Sequence, residues 1–207
     1  MGATELVGVA ASLSLLAGWR LYAAVLAAGL AMRAGWIDLP THLEGLRALG
    51  SPLVIGVAAL GTLAELFADK LAWLDSAWDG VHTAVRPLGG ALLALAVVDA
   101  SDPGWQLATL LLGGSAAFAS HAAKASTRAV VNTSPEPLSN MALSSAEDVA
   151  SGSLLWLVLS HPAMALAVAI LLAVLTVVLL VLAWRVLNTI WTRWKRVVPP
   201  VGPGPLR

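Results

Sequence analysis

Cysteine is absent from the sequence, which excludes disulfides, thiolate metal centres and cysteine nucleophiles and leaves His and carboxylate side chains as the metal ligands available. Net charge is absent as well, because 12 Lys and Arg balance 12 Asp and Glu. No overall field therefore draws the chain to nucleic acid, which is not expected as a partner. No Gly-rich phosphate loop and no Ser/His/Asp nucleophile motif is present. A basic leader is missing too: Glu5 stands where a signal peptide carries cations and Arg20 interrupts the first apolar run, so that run is expected to be retained as a span. Charge of either sign is sparse, at 12% of 207 residues against 58% apolar ones. With a mean hydropathy of +0.83 the chain is too apolar for a soluble domain of this size. The class implied is all-α, a polytopic membrane helical bundle.

About six spans follow from the apolar runs. Leu6 to about Met32 reads as one long tilted span with Arg20 near its middle, and residues 33–51 read as a polar connector with a short surface helix. Ser51-Pro52 is an N-cap and first-turn proline opening a second span to about Leu71. A turn over Trp73 to Gly80 precedes the third span, which ends by Asp99, and Asp102-Pro103 opens the fourth, to about Val131. Two prolines keep the loop Asn132 to Asn140 from continuing that helix, a fifth span covers about Met141 to Leu159, and a sixth has no charge from Ala163 to Trp184. Residues 1–198 make one transmembrane domain, and the Pro/Gly-rich residues 199–207 read as a disordered tail. Six spans put both termini and the connections near residues 70 and 130 on one face. That face collects Lys70, Arg86, Lys124, Arg128, Arg185, Arg193, Lys195, Arg196 and Arg207, against Arg33 and Arg47 on the opposite connectors, and the positive-inside rule makes it cytoplasmic.

Ionisable residues inside such a chain mark a pathway, a site or an internal ion pair. His121, Lys124, Arg128 and Asn132 recur at helical spacing, within an arc of about 80° at about 100° per residue, and form one cationic stripe. Gly113, Gly114 and Ala117 lie on nearly the same face, where small residues let a neighbouring helix approach. Glu147 and Asp148 are the natural counter-charges on the fifth span, Glu65 and Asp69 supply a second acidic pair, and Arg20 approaches from below. Asp75, Asp79, His82 and Arg86 complete the set. Asp75 and Asp79, four apart, resemble carboxylate pairs that share Mg²⁺ in membrane enzymes handling diphosphates. His82 and His121 have no close His or Cys partners, which argues against zinc. The same residues could bind an anion and a coupling cation, or neutralise one another as a structural network.

The blocks ADKLAWLDSAWDGVHTAVRPLGGAL (68–92) and HAAKASTRAVVNTSPEPLSNMALSSAED (121–148) resemble the signature blocks of an uncharacterised bacterial integral-membrane family catalogued only as a domain of unknown function. The stretch GWRLYAAVLAAGLAMRAGWIDLP (18–40) is similar to that family's opening block. At Leu71-Ala72 the sequence departs from an Ile-Pro-like break. The resemblance implies a compact multi-span protein of the bacterial plasma (inner) membrane and brings no activity with it.

The expectation is a membrane transport protein moving a small charged solute or a lipid headgroup through a cytoplasm-facing polar cavity. Glu65 and Asp69 would take a proton or cation, and His121, Lys124, Arg128 and Arg86 the anionic part. The second-third and fourth-fifth hairpins, each polar-ended, suggest a parallel repeat. The alternatives are a Mg²⁺-dependent membrane enzyme acting on a phosphorylated lipid, through Asp75, Asp79, Glu147 or Asp148, and a non-catalytic assembly factor with a structural ion-pair network. No cofactor is required outside the enzyme alternative. The bilayer is the general partner, and homo-oligomerisation stays open.

Overall fold

A computed structural model describes residues 2–37, 41–98, 101–131 and 137–197. Among them are seven α-helices and no strand: α1 Ala3–Trp19, α2 Leu21–Arg33, α3 Pro52–Ala68, α4 Ala72–Val97, α5 Pro103–Val131, α6 Pro137–Ser160 and α7 Ala165–Val197. Short 3-10 helices cover Thr41–Gly50 and Pro162–Met164.

Local chemistry sets most of the boundaries. The Ser51 hydroxyl accepts from the amide of Val54 at 3.3 Å with Pro52 in the first turn, and Asp102 Oδ1 accepts from the amides of Gly104 and Trp105 at 2.9 and 3.1 Å ahead of α5. After α2 the chain turns through Gly35 at φ 73°, a conformation that costs a side-chain-bearing residue energy.

α1 is the central element. Eleven of its 17 residues are buried, on all sides of the helix, as befits a helix surrounded by others. Leu13 and Leu16 are wholly enclosed, and the apolar core continues through Leu93, Val158 and Leu172. A seam of small residues draws α1, α4 and α5 together: Gly18 lies against Ala117 and Ser120, and Gly90 against Gly113 and Ala117. The expected close approach at Gly113 and Ala117 is therefore present. Along this seam Ser14 meets Gly90 and Gly113, whereas Gly18 meets Arg86 and Ala117. Thus α1 runs parallel to α5 and antiparallel to α4.

The first apolar stretch is not one tilted span. Arg20, at φ −141° and ψ 78°, leaves the helical region and separates α1 from α2. α2 then packs antiparallel on α3, with Tyr22 against Gly61 and Gly29 against Ile55. The placement of the N-terminus beside the turns near 70 and 130 is corrected as well: the start of α1 meets Ala165 and Leu166 at the start of α7, at the end of the bundle away from those turns.

The expected turn over Trp73 to Gly80 is helical. The turn is earlier, between Ala68 and Ala72, and α4 carries Asp75, Asp79, His82 and Arg86 at intervals of four, three and four on one face. The two hairpins expected to repeat are unequal, with helices of 17 and 26 residues in one and 29 and 24 in the other.

Only α4 (Trp73–Val97) and the segment Pro162–Arg193 ending in α7 are both long and apolar enough to cross a membrane among the described residues. α1, α2 and α3 are apolar and shorter, with 17, 13 and 17 residues against the roughly 20 of a typical span. What the described residues support of the expected bundle is its all-helical character, with two helices able to cross. Leu53, Leu60, Phe67, Leu112 and Trp184 point outward from their helices. The proposed tail, 199–207, lies outside the described residues.

Candidate functional site

Two groups of ionisable side chains meet around the C-terminal end of α1. The first centres on Arg86 of α4, which is fully buried. Its guanidinium reaches Glu65 of α3 at 2.7 Å, Asp79 at 3.0 Å, the Gly18 carbonyl at 3.2 Å and Nδ1 of His121 at 2.5 Å. A guanidinium only donates, so His121 Nδ1 accepts, and Nε2 carries the hydrogen that goes to Thr83 Oγ1 at 3.1 Å. The Thr83 hydroxyl in turn donates to the Asp79 carbonyl at 2.9 Å. One turn earlier on α4, His82 Nδ1 donates to the Trp78 carbonyl at 2.8 Å, leaving Nε2 of the neutral ring to accept from the Tyr22 hydroxyl at 3.1 Å. The indole of Trp78 stacks on this imidazole, with ring centroids 4.4 Å apart.

The second group centres on Asp69, in the turn that closes α3. Its Oδ2 lies 2.5 Å from Arg20, 2.7 Å from Lys124 and 3.6 Å from Arg128. Arg128 also holds Glu147 of α6 at 2.6 Å and donates to the Asp69 carbonyl at 3.2 Å. Arg20 pairs with Asp148, and Lys70 reaches the other oxygen of that carboxylate at 3.2 Å. One charged core therefore ties the broken α1–α2 segment to α3, α5 and α6.

The helix break joins the two groups. The last carbonyls of a helix have no intrahelical donor. Here Arg86 takes the carbonyl of Gly18 and Lys124 that of Trp19, at 3.3 Å, while the Ser120 hydroxyl adds a bond to Leu15 at 2.5 Å. Cations at this pole also complement the helix dipole.

Both expected features of the stripe are present: His121, Lys124 and Arg128 face inward, and the carboxylates of α3 and α6 oppose them. Glu65, Asp69, Asp75, Asp79, His82, Arg86 and Arg20 are buried in the same region, and Lys70, Glu147 and Asp148 form its partly exposed rim. Asn132 lies outside the described residues. Sequence reasoning missed Tyr22, Thr83 and Ser120. Tyr22 left a trace, as the single tyrosine of the chain two positions after Arg20; the hydroxyls of Thr83 and Ser120 left none.

A family model for a domain of unknown function, DUF4126, matches residues 7–182. The chain belongs to the DUF4126 family. No curated protein and no solved structure matches it. The DUF4126 match contains every residue of both charged groups, from Arg20 to Asp148, and ends within α7.

The chemistry open to this DUF4126 site is that of charge pairing and proton exchange. Among the described residues no group of three or more His, Asp or Glu side chains comes together to hold a metal ion. Asp79 is engaged by Arg86, and both histidines are committed to neighbours, so neither the Mg²⁺ pair at Asp75 and Asp79 nor a histidine metal site gains support.

Proposed function

We propose that this chain is a membrane transport protein that moves a small charged solute, with the buried charged core at the α1–α2 break as its coupling centre. The observation that carries the reading is the break itself. A helix interrupted inside the protein has its free carbonyls held by Arg86 and Lys124, side chains that can leave them. Discontinuous helices whose ends meet charged groups recur where transporters bind substrate and coupling ions. The cost of burying this many ionisable groups in so apolar a chain supports the same reading. The charged core is closed, and Lys70, Glu147 and Asp148 mark the side from which a solute would enter. By the distribution of Lys and Arg that side is cytoplasmic, in the plasma membrane of a bacterium.

Proteoliposomes with an entrapped pH dye test this. Proton movement under an imposed pH gradient is measured with and without external phosphate as a trial anion. Asp69→Asn keeps the size of the side chain but removes the charge shared by Arg20, Lys124 and Arg128. It is expected to insert normally and to lose the coupled flux.

The second reading, a non-catalytic assembly factor held by a structural network, is favoured by one observation: all five cations of the core are paired with carboxylates. Absence of flux in the wild type, together with gross destabilisation by Asp69→Asn, would select it.

A further inference from the structure

Charge stoichiometry singles out one residue. Arg20, Lys70, Arg86, Lys124 and Arg128 face six carboxylates, so one acid is left over. Glu65, Asp69, Asp79, Glu147 and Asp148 each have an ion pair. Asp75 is fully buried, and neither of its oxygens has a hydrogen-bond partner among the described residues.

Asp75 is not remote from the other charges. Asp69 in the preceding turn, Asp79 one turn further along α4, and Lys124 and Arg128 on α5 all act on it electrostatically. Glu147 of α6 holds Arg128, and Glu65 of α3 holds Arg86. The cations that could serve Asp75 are already committed, Lys124 to Asp69 and Arg128 to Asp69 and Glu147. An ionised carboxylate cut off from both water and donors costs several kcal/mol. One proton on Asp75, with His82 and His121 neutral, makes the core electroneutral.

We infer that Asp75 is the proton-carrying site of this network: it holds a proton while Arg128 is bound to Glu147 and releases it to water when Arg128 moves across to pair with it. In that exchange an O–H bond at Asp75 breaks, the proton leaves on water, and the Arg128–Glu147 pair is traded for Arg128–Asp75. The trade frees the N-terminal half of α6 from α5, so that proton release and helix separation become one event. The inference names the coupling ion of the transport reading and rests on that reading for its purpose, but protonation of Asp75 is measurable without transport.

The test uses the full-length protein in detergent micelles and dicyclohexylcarbodiimide, which modifies protonated carboxyls in apolar surroundings, with the modified peptide located by mass spectrometry. Asp75 should be modified at neutral pH, and the rate should fall about tenfold per pH unit above its titration point. Measured above that point, Glu147→Gln, which releases Arg128 toward Asp75, should slow the modification about tenfold, the equivalent of one unit in pKa. Infrared spectra should show a protonated carboxyl band that Asp75→Asn removes and that Asp102→Asn, at the exposed cap of α5, leaves in place. An unmodified Asp75 in folded wild-type protein, or modification indifferent to Glu147→Gln, would overturn the inference even if Asp75→Asn failed to fold. Modified Asp75 without flux in proteoliposomes would remove the transport reading and leave the protonation site standing. Flux with an unmodified Asp75 would do the reverse.

Discussion

Leu13, Leu16, Leu93 and Val158 fill one half of the bundle with side chains that carry no charge, while in the other half Arg86 of α4 and His121 and Lys124 of α5 are buried too. Both halves exclude solvent, but they fail differently. In the apolar half each contact is shared among many neighbours, and a replacement of similar volume loses little. In the charged half Arg86, His121 and Lys124 each hold two or more named partners, and removing one of them leaves those partners without it. Buried ion pairs stabilise poorly compared with apolar packing of equal volume, so the charged half is better explained by what it specifies or moves than by what it contributes to stability.

The sharpest way to break this contrast is to make the same kind of replacement in both halves. Arg86→Met keeps much of the volume but leaves Glu65 and Asp79 buried without their cation. It is expected to cost about 3–5 kcal/mol, read as a loss of folded protein on denaturant titration in micelles. Gly18→Ala probes the seam where the halves join. A methyl group there meets the Ala117 carbonyl and the Ser120 side chain. A loss of about 1–3 kcal/mol is expected, and a smaller one would mean that the α1–α5 approach is not tight. Leu16→Met, in the wholly buried apolar half, should cost less than about 1.5 kcal/mol. If Leu16→Met cost as much as Arg86→Met, the distinction between shared and named contacts would be lost.

What could be read from the sequence divides along a similar line. The caps at Ser51 and Asp102 were legible because three or four adjacent residues make them. The inward stripe of His121, Lys124 and Arg128 was legible because helical spacing alone puts them on one face. The helix through Asp75 to Gly80 was misread, since Asp, Ser and Gly favour turns locally. The ion pair between Arg86 and Asp79, two turns apart within α4, is one contact consistent with helix there. Arg20 was read as lying near the middle of one tilted span, where the chain in fact breaks. The carbonyls at the break are satisfied by side chains from α4 and α5, a long-range arrangement that no local pattern encodes. Counting apolar runs also reversed the direction of α1 relative to α4 and α5.

The separation in sequence between α1 and the groups that complete it also bears on how the protein is made. Arg86 closes the Gly18 carbonyl from 68 residues later, Lys124 closes that of Trp19 from 105 residues later, and the Arg20 side chain finds Asp148 across 128. A nascent chain emerges from its N-terminus, so α1 and α2 are made before Asp69, which meets the Arg20 side chain, and before α4 and α5, which close the two carbonyls. During that interval the first helix needs either water or a chaperoning surface at Arg20, and premature burial of α1 would carry an uncompensated charge with it. The central helix of the finished bundle is thus translated before the helices whose side chains complete it.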